Sequence, residues 1–165
     1  MRKSLALFFV CLSILSGAIA MGADEIQNIN TIGGILKIRN KSDHYAEIIF
    51  KNKIIHKTNT SKIRVQNTFS TLKGDVMLIL EDTGGNLCAG IFRFIMINKG
   101  GAYNISRYFG NCHATPKVWQ EGEKIVVDFP YINDTCRRVT AVYDKGAVKV
   151  TGMTPALEKY LKQFK

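Results

Sequence analysis

After the first twenty residues, no stretch of the chain approaches the apolar length that a membrane-spanning helix needs. No run of five like charges gathers the basic residues into a polybasic tail. No CxxC or HxxxH spacing is present, so the common zinc and redox patterns are absent. The G-x-S-x-G elbow, the Walker loop and the glycine-rich dinucleotide fingerprint are missing too. There is no fixed internal period, low-complexity tract or interdomain linker. These absences leave one ordinary domain without the residue patterns that organise frequent metal, nucleotide or acyl-transfer chemistry. No metal site and no cofactor is expected.

The start of the chain has its own logic. Met1-Arg2-Lys3 is basic, Leu5 to Leu15 is apolar, and Ser16-Gly17-Ala18-Ile19-Ala20 ends in a small-x-small pattern. Residues 1–20 therefore read as a secretory signal peptide, with no membrane span after its cleavage. Removing Arg2 and Lys3 from 23 basic residues leaves 21 against 13 acidic ones, a net charge near +8. Such a charge favours an acidic protein or an anionic envelope polymer as partner. Nucleic acid is not expected, because no aromatic RNA-binding motif accompanies the charge and the chain is exported. The nearest thing to a basic cluster is Lys51, Lys53, Lys57, Lys62 and Arg64, spread over neighbouring strands.

Residues 21–34 are polar, end in Gly33-Gly34, and read as a flexible N-terminal arm. Residues 35–165 read as a single β-rich domain. Short β-type runs recur: Ala46 to Phe50, Asp75 to Glu81, Ile91 to Ile97, Lys124 to Phe129 and Val139 to Tyr143. Turn residues such as Lys99-Gly100-Gly101 and Asp144-Lys145-Gly146 separate them, glycine supplying the positive φ of hairpin loops. The spacing predicts an all-β antiparallel meander that forms a sandwich or barrel. The C-terminus differs. Thr154-Pro155 is an N-cap followed by proline, and Leu157, Tyr160, Leu161 and Phe164 recur at helical spacing. A short amphipathic helix over 154–164 is predicted.

Three cysteines follow the leader: Cys88, Cys112 and Cys136. Export makes a disulfide the default. A three-residue turn at Lys99-Gly100-Gly101 places Ile97 opposite Tyr103, Ile95 opposite Ile105, Ile91 opposite Phe109 and Cys88 opposite Cys112. Facing residues of an antiparallel pair lie within disulfide reach. The rival bridge, Cys112 to Cys136, is out of register with the hairpin that turns at Glu121-Gly122. Cys88–Cys112 is therefore the predicted bond. Cys136 is left as a free-thiol candidate, flanked by Arg137 and Arg138.

The same register sets Arg93 opposite Arg107. Like charges face to face destabilise a sheet unless they splay or share an anion. The pair is thus the anion-binding candidate, a double guanidinium grip for a carboxylate or phosphate. Tyr103, Tyr108 and Trp119 could line such a site. No catalytic residues are assigned. The carboxylates that a small hydrolase could use are Glu81, Asp82, Glu121, Glu123 and Asp128. The first four read as strand-end or turn residues, and Asp128 as a strand residue facing water. Of the three histidines, His44, His56 and His113, His56 reads as a solvent-face residue of a strand.

The segments LEDTGGNLCAGIFRF, FGNC and VYDKGAVKV together resemble small exported bacterial β-domain proteins of no assigned function, over roughly residues 75–150. The resemblance implies a periplasmic setting and the Cys88–Cys112 bridge, and it carries over no active residue. The reading that follows is a periplasmic or secreted, non-enzymatic binding protein of the bacterial envelope, of inhibitor or immunity type. The alternatives are a small envelope hydrolase and a secreted adhesin or virulence factor that binds anionic surface polymers.

Overall fold

The computed structural model describes residues 24–41, 45–60, 62–85, 88–112, 115–132 and 137–164. Among the described residues twelve strands form three antiparallel four-stranded sheets, each a simple meander, and none of these sheets closes into a barrel. The first sheet holds β1 (Glu25–Thr31), β2 (Gly34–Lys41), β3 (Tyr45–Phe50) and β4 (Lys53–Thr58). The second holds β5 (Lys62–Thr71), β6 (Gly74–Asp82), β7 (Gly90–Ile97) and β8 (Tyr103–Ile105). The third holds β9 (Lys117–Glu121), β10 (Lys124–Phe129), β11 (Val139–Asp144) and β12 (Ala147–Thr151).

The second sheet is the middle layer, because its two faces feed two separate cores. On one face Val76, Leu78, Phe92 and Phe94 pack against Ile125, Val127, Phe129 and Tyr143 of the third sheet. On the other, Met77, Ile79, Ile95 and Ile97 pack against Leu36, Ile38, Ile48 and Phe50 of the first. A strand buried on both faces has no polar side to show. That is why β6 reads as an almost unbroken apolar run. Each fully buried Leu, Ile or Phe contributes about 1.5–3 kcal/mol, so both interfaces are substantial. Asn40 ties the first two sheets directly. Its side chain donates to the Ile63 carbonyl at 3.0 Å and accepts from the Ile63 amide at 2.8 Å, as a neighbouring strand would.

The expected N-terminal arm is corrected here. Glu25–Thr31 is not loose but pairs along its length with β2, through a two-residue turn at Ile32-Gly33. Gly34, at φ +133°, takes a backbone conformation that side chains disfavour. An edge strand needs little apolar surface of its own, and Ile29 alone packs on the core. The polar composition therefore disguised it.

The C-terminal helix forms as predicted, with α1 at Pro155–Leu161 and a 3₁₀ turn at Lys162–Phe164. The Thr154 side chain accepts from the Leu157 amide at 3.2 Å. Leu161 is buried beside Cys88, Ile91 and Tyr108, which seats the helix against the end of β7.

Candidate binding site

The β3–β4 hairpin contains a one-residue bulge. Its tight turn is Lys51-Asn52, with φ of +49° and +60°. Phe50 then pairs with Lys53 and Ile49 with Ile54, but Ile48 pairs with His56. Ile55 is the extra residue. Without it, Ile48 would face Ile55 and His56 would point outward. The bulge instead puts His56 in the inward row with Ile48, facing the middle sheet. This corrects the reading of His56 as a solvent-face residue.

His56 meets a charged pair from the middle sheet. In the β6–β7 register, Ile79 faces Arg93 and Glu81 faces Ile91, so Glu81 and Arg93 are diagonal neighbours on one face. Glu81 is completely buried and Arg93 is 7 % exposed. Glu81 Oε1 lies 2.9 Å from His56 Nε2 and 3.1 Å from Arg93 Nε. Neither contact is an aligned hydrogen bond, and the Arg93 contact is an ion pair. Tyr108 donates its hydroxyl to Glu81 Oε2 at 2.9 Å. The Arg93 guanidinium lies over the Tyr108 ring, 3.4 Å from its centre. Arg93 Nη1 is 3.3 Å from His56 Nδ1. A guanidinium only donates, so Nδ1 accepts from Arg93, while Nε2 lies 3.4 Å from the Tyr108 hydroxyl.

Burial pushes the Arg93 guanidinium down to about 10, and Glu81 opposes that fall. Arg93 is still charged at neutral pH and its counter-charge is internal. Glu81 Oε2 accepts from Tyr108, Oε1 is held by proximity to Arg93 and His56 without a hydrogen bond, and the two nitrogens of His56 lie beside Arg93 and Tyr108.

Above this cluster opens a cavity of about 550 Å³. Its walls come from β4, from the segment that follows β8, and from α1. Ile55, Ile105, Met153 and Leu161 make it apolar; Arg93, Arg107 and Lys162 make it basic. Glu158 is the one acid among the described lining residues.

The two anion-binding candidates thus share a cavity without facing each other. The predicted pairs Ile97–Tyr103 and Ile95–Ile105 hold. Beyond them β8 ends, and Phe92 rather than Ile91 bridges Phe109. This one-residue slip releases Arg107 from the ladder and leaves it exposed. Arg93 is ion-paired with Glu81, and Arg107 does not stand opposite it in the ladder. Of the aromatics, Tyr108 lines the cavity, while Tyr103 and Trp119 are exposed outside it.

Cys88 and Cys112 are bonded, with Cα atoms 4.2 Å apart. The disulfide is consistent with an oxidising compartment. Cys136, His44 and His113 lie outside the described residues. Asp128 stands on the outer face of β10, opposite the core residues Val127 and Phe129, and is 9 % exposed there because Arg138 Nε and Nη2, each at 2.9 Å, and the Thr140 hydroxyl at 3.0 Å cover it. Arg138 holds its carboxyl below the usual range. Glu81, read as a strand-end acid, is the most deeply buried acid of the network. Among the described residues no group of three His, Cys, Asp or Glu is placed to hold a metal ion, and no helix is long and apolar enough to cross a membrane.

A second charged feature lies on the outer face of the first sheet. Along β2 the inward Leu36, Ile38 and Asn40 alternate with the outward Lys37, Arg39 and Lys41. Register carries that row across: Arg39 faces Glu47, and Glu47 faces Lys57. Tyr45 sits between cations, with Lys41 Nζ 5.0 Å and Lys57 Nζ 5.8 Å from its ring centre. Tyr45 also raises the Lys57 pKa. Glu47 is covered by Arg39 at 3.4 Å and Lys41 at 3.7 Å. Four cations and one sequestered acid leave this face strongly positive.

Comparison with protein-family models, curated proteins and solved structures finds no match to this chain.

Proposed function

We propose that the chain is an exported, non-enzymatic binding protein of the bacterial envelope, of inhibitor or immunity type, that docks an acidic protein surface. The observation that carries this reading is the outer face of the first sheet. Lys37, Arg39, Lys41 and Lys57 share that face, and the acid among them, Glu47, is buried beneath its partners. Fixed charge of one sign on a rigid antiparallel sheet steers an oppositely charged partner and suppresses like-charged ones. Tyr45 in the middle of the cations supplies the aromatic contact that interface centres favour. The Cys88–Cys112 bond supports a periplasmic setting. Glu81 lies buried beneath the cavity against Arg93, His56 and Tyr108, which weighs against its use as a hydrolytic acid or base.

The test is a pull-down of envelope proteins by the oxidised chain, run beside Lys37→Gln/Lys41→Gln/Lys57→Gln. Arg39 is retained in that variant because Glu47 needs a partner. The reading expects a stoichiometric acidic protein on the wild-type chain and its loss from the variant. Equal retention by both, or no protein on either, refutes it. Retention of anionic polymer alone, released by salt, transfers the face to envelope-polymer binding.

A further inference from the structure

We infer that the cavity between β4, the segment after β8 and α1 is a binding site for a small anionic amphiphile, an oxyanion head on an apolar body. This goes beyond the docking face, which lies on the opposite side of the first sheet. At about 550 Å³ the cavity falls in the range of small-molecule sites. Ile55, Ile105, Met153 and Leu161 offer hydrocarbon walls, and the Tyr108 ring continues them.

The charges in the cavity are not equivalent. Arg93 is neutralised from below by Glu81 at 3.1 Å, so it contributes shape and a flat, stacked surface more than net field. Arg107 and Lys162 have no ion-pair partner among the described residues, although both line the cavity. Glu158, one helical turn before Lys162, is the acid that opposes them. Two cations against one acid on the rim of an apolar chamber leave an excess of positive charge. A carboxylate or phosphate offsets it with charge-assisted hydrogen bonds, and its apolar tail displaces water from the isoleucine and methionine walls. A neutral amphiphile gains only the second term, and a cationic one meets two like charges.

The measurement is methyl NMR of the oxidised chain, titrated with dodecanoate, dodecyl phosphate, dodecanol, dodecyltrimethylammonium and inorganic phosphate, each below micelle-forming concentrations. The inference expects saturable shifts of the Met153, Ile55 and Ile105 methyls with the two anionic amphiphiles; the tighter of them separates a carboxylate from a phosphate head. Arg107→Ala and Lys162→Ala should each weaken binding about tenfold. Both side chains lie away from the packed cores. Glu158→Gln should tighten it. Dodecanol binding as tightly as dodecanoate overturns the charge argument, and inorganic phosphate binding as tightly overturns the apolar one. Weaker binding in Glu158→Gln overturns the anionic assignment in favour of a zwitterion. No saturable shift with any probe overturns the site itself, and leaves the docking face untouched.

Discussion

Replacing Arg93 with methionine tests the buried cluster at its most exposed assumption. The variant keeps most of the side-chain volume and removes the charge that faces Glu81. The Glu81 carboxylate, with no solvent contact, then keeps the Tyr108 hydrogen bond and the nearby His56 ring. Breaking a buried ion pair from one side costs about 3–5 kcal/mol. The Tyr108 hydrogen bond remains, so the lower end applies, about 3 kcal/mol. For a domain of this size that lowers the Tm by roughly 6–12 °C. Glu81→Gln alone strands the Arg93 guanidinium and also destabilises. In Arg93→Met/Glu81→Gln neither charge is stranded, and the neutral amide still offers Tyr108 and His56 a partner. The double variant should lie within about 1 kcal/mol of wild type. The assay is urea unfolding of all four proteins with the disulfide intact. Additive single effects, or an Arg93→Met cost under about 1 kcal/mol, would refute the reasoning.

Three further outcomes follow from single features. The Asp128 carboxyl is depressed chiefly by its hydrogen bonds from Arg138. A depressed acid stabilises the fold above its unfolded value, 3.8, and loses that contribution as pH falls through the lower folded value. Arg138→Gln should therefore lose less stability than wild type between pH 7 and about pH 2, read from urea midpoints at each pH. Removing the Cys88–Cys112 bond by double alanine substitution should cost about 3 kcal/mol in the loop-closure model. Because Cys88, Tyr108 and Leu161 share one cluster, hydrogen exchange should show α1 losing protection before the sheets do. Asn52→Val forces a β-branched side chain into φ +60° at the β3–β4 turn and should cost about 1–2 kcal/mol in urea unfolding.

The legible parts of this molecule were those that repeat. Hairpin turns, strand alternation and the Thr154-Pro155 cap are local, so the meander and the helix could be read directly. Register from one turn was enough to bring Cys88 to Cys112. It failed for Arg107 because a single-residue slip before Phe109 is written in no local pattern. His56 was misplaced for the same reason: the bulge at Ile55 reverses the parity of β4, and parity decides which face a strand residue occupies. The buried cluster did leave a signal. Glu81 and Arg93 are opposite charges set in two of the most apolar runs of the chain, DVMLILE and IFRFIMI. A charge in a strand buried on both faces needs a partner, and each is the other's nearest candidate. Reading β6 as two-sided would have paired them. The division into three layers was not legible, since nothing local tells a strand how many sheets will cover it.

The outer face of the first sheet is the proposed working surface. The direct measurement is salt elution from immobilised polyglutamate, a defined acidic chain, comparing wild type, Lys37→Gln/Lys41→Gln/Lys57→Gln and Arg107→Ala/Lys162→Ala. The account predicts that the sheet variant elutes at clearly lower salt while the cavity variant stays close to wild type. Equal elution of wild type and the sheet variant, or a larger loss in the cavity variant, would contradict it.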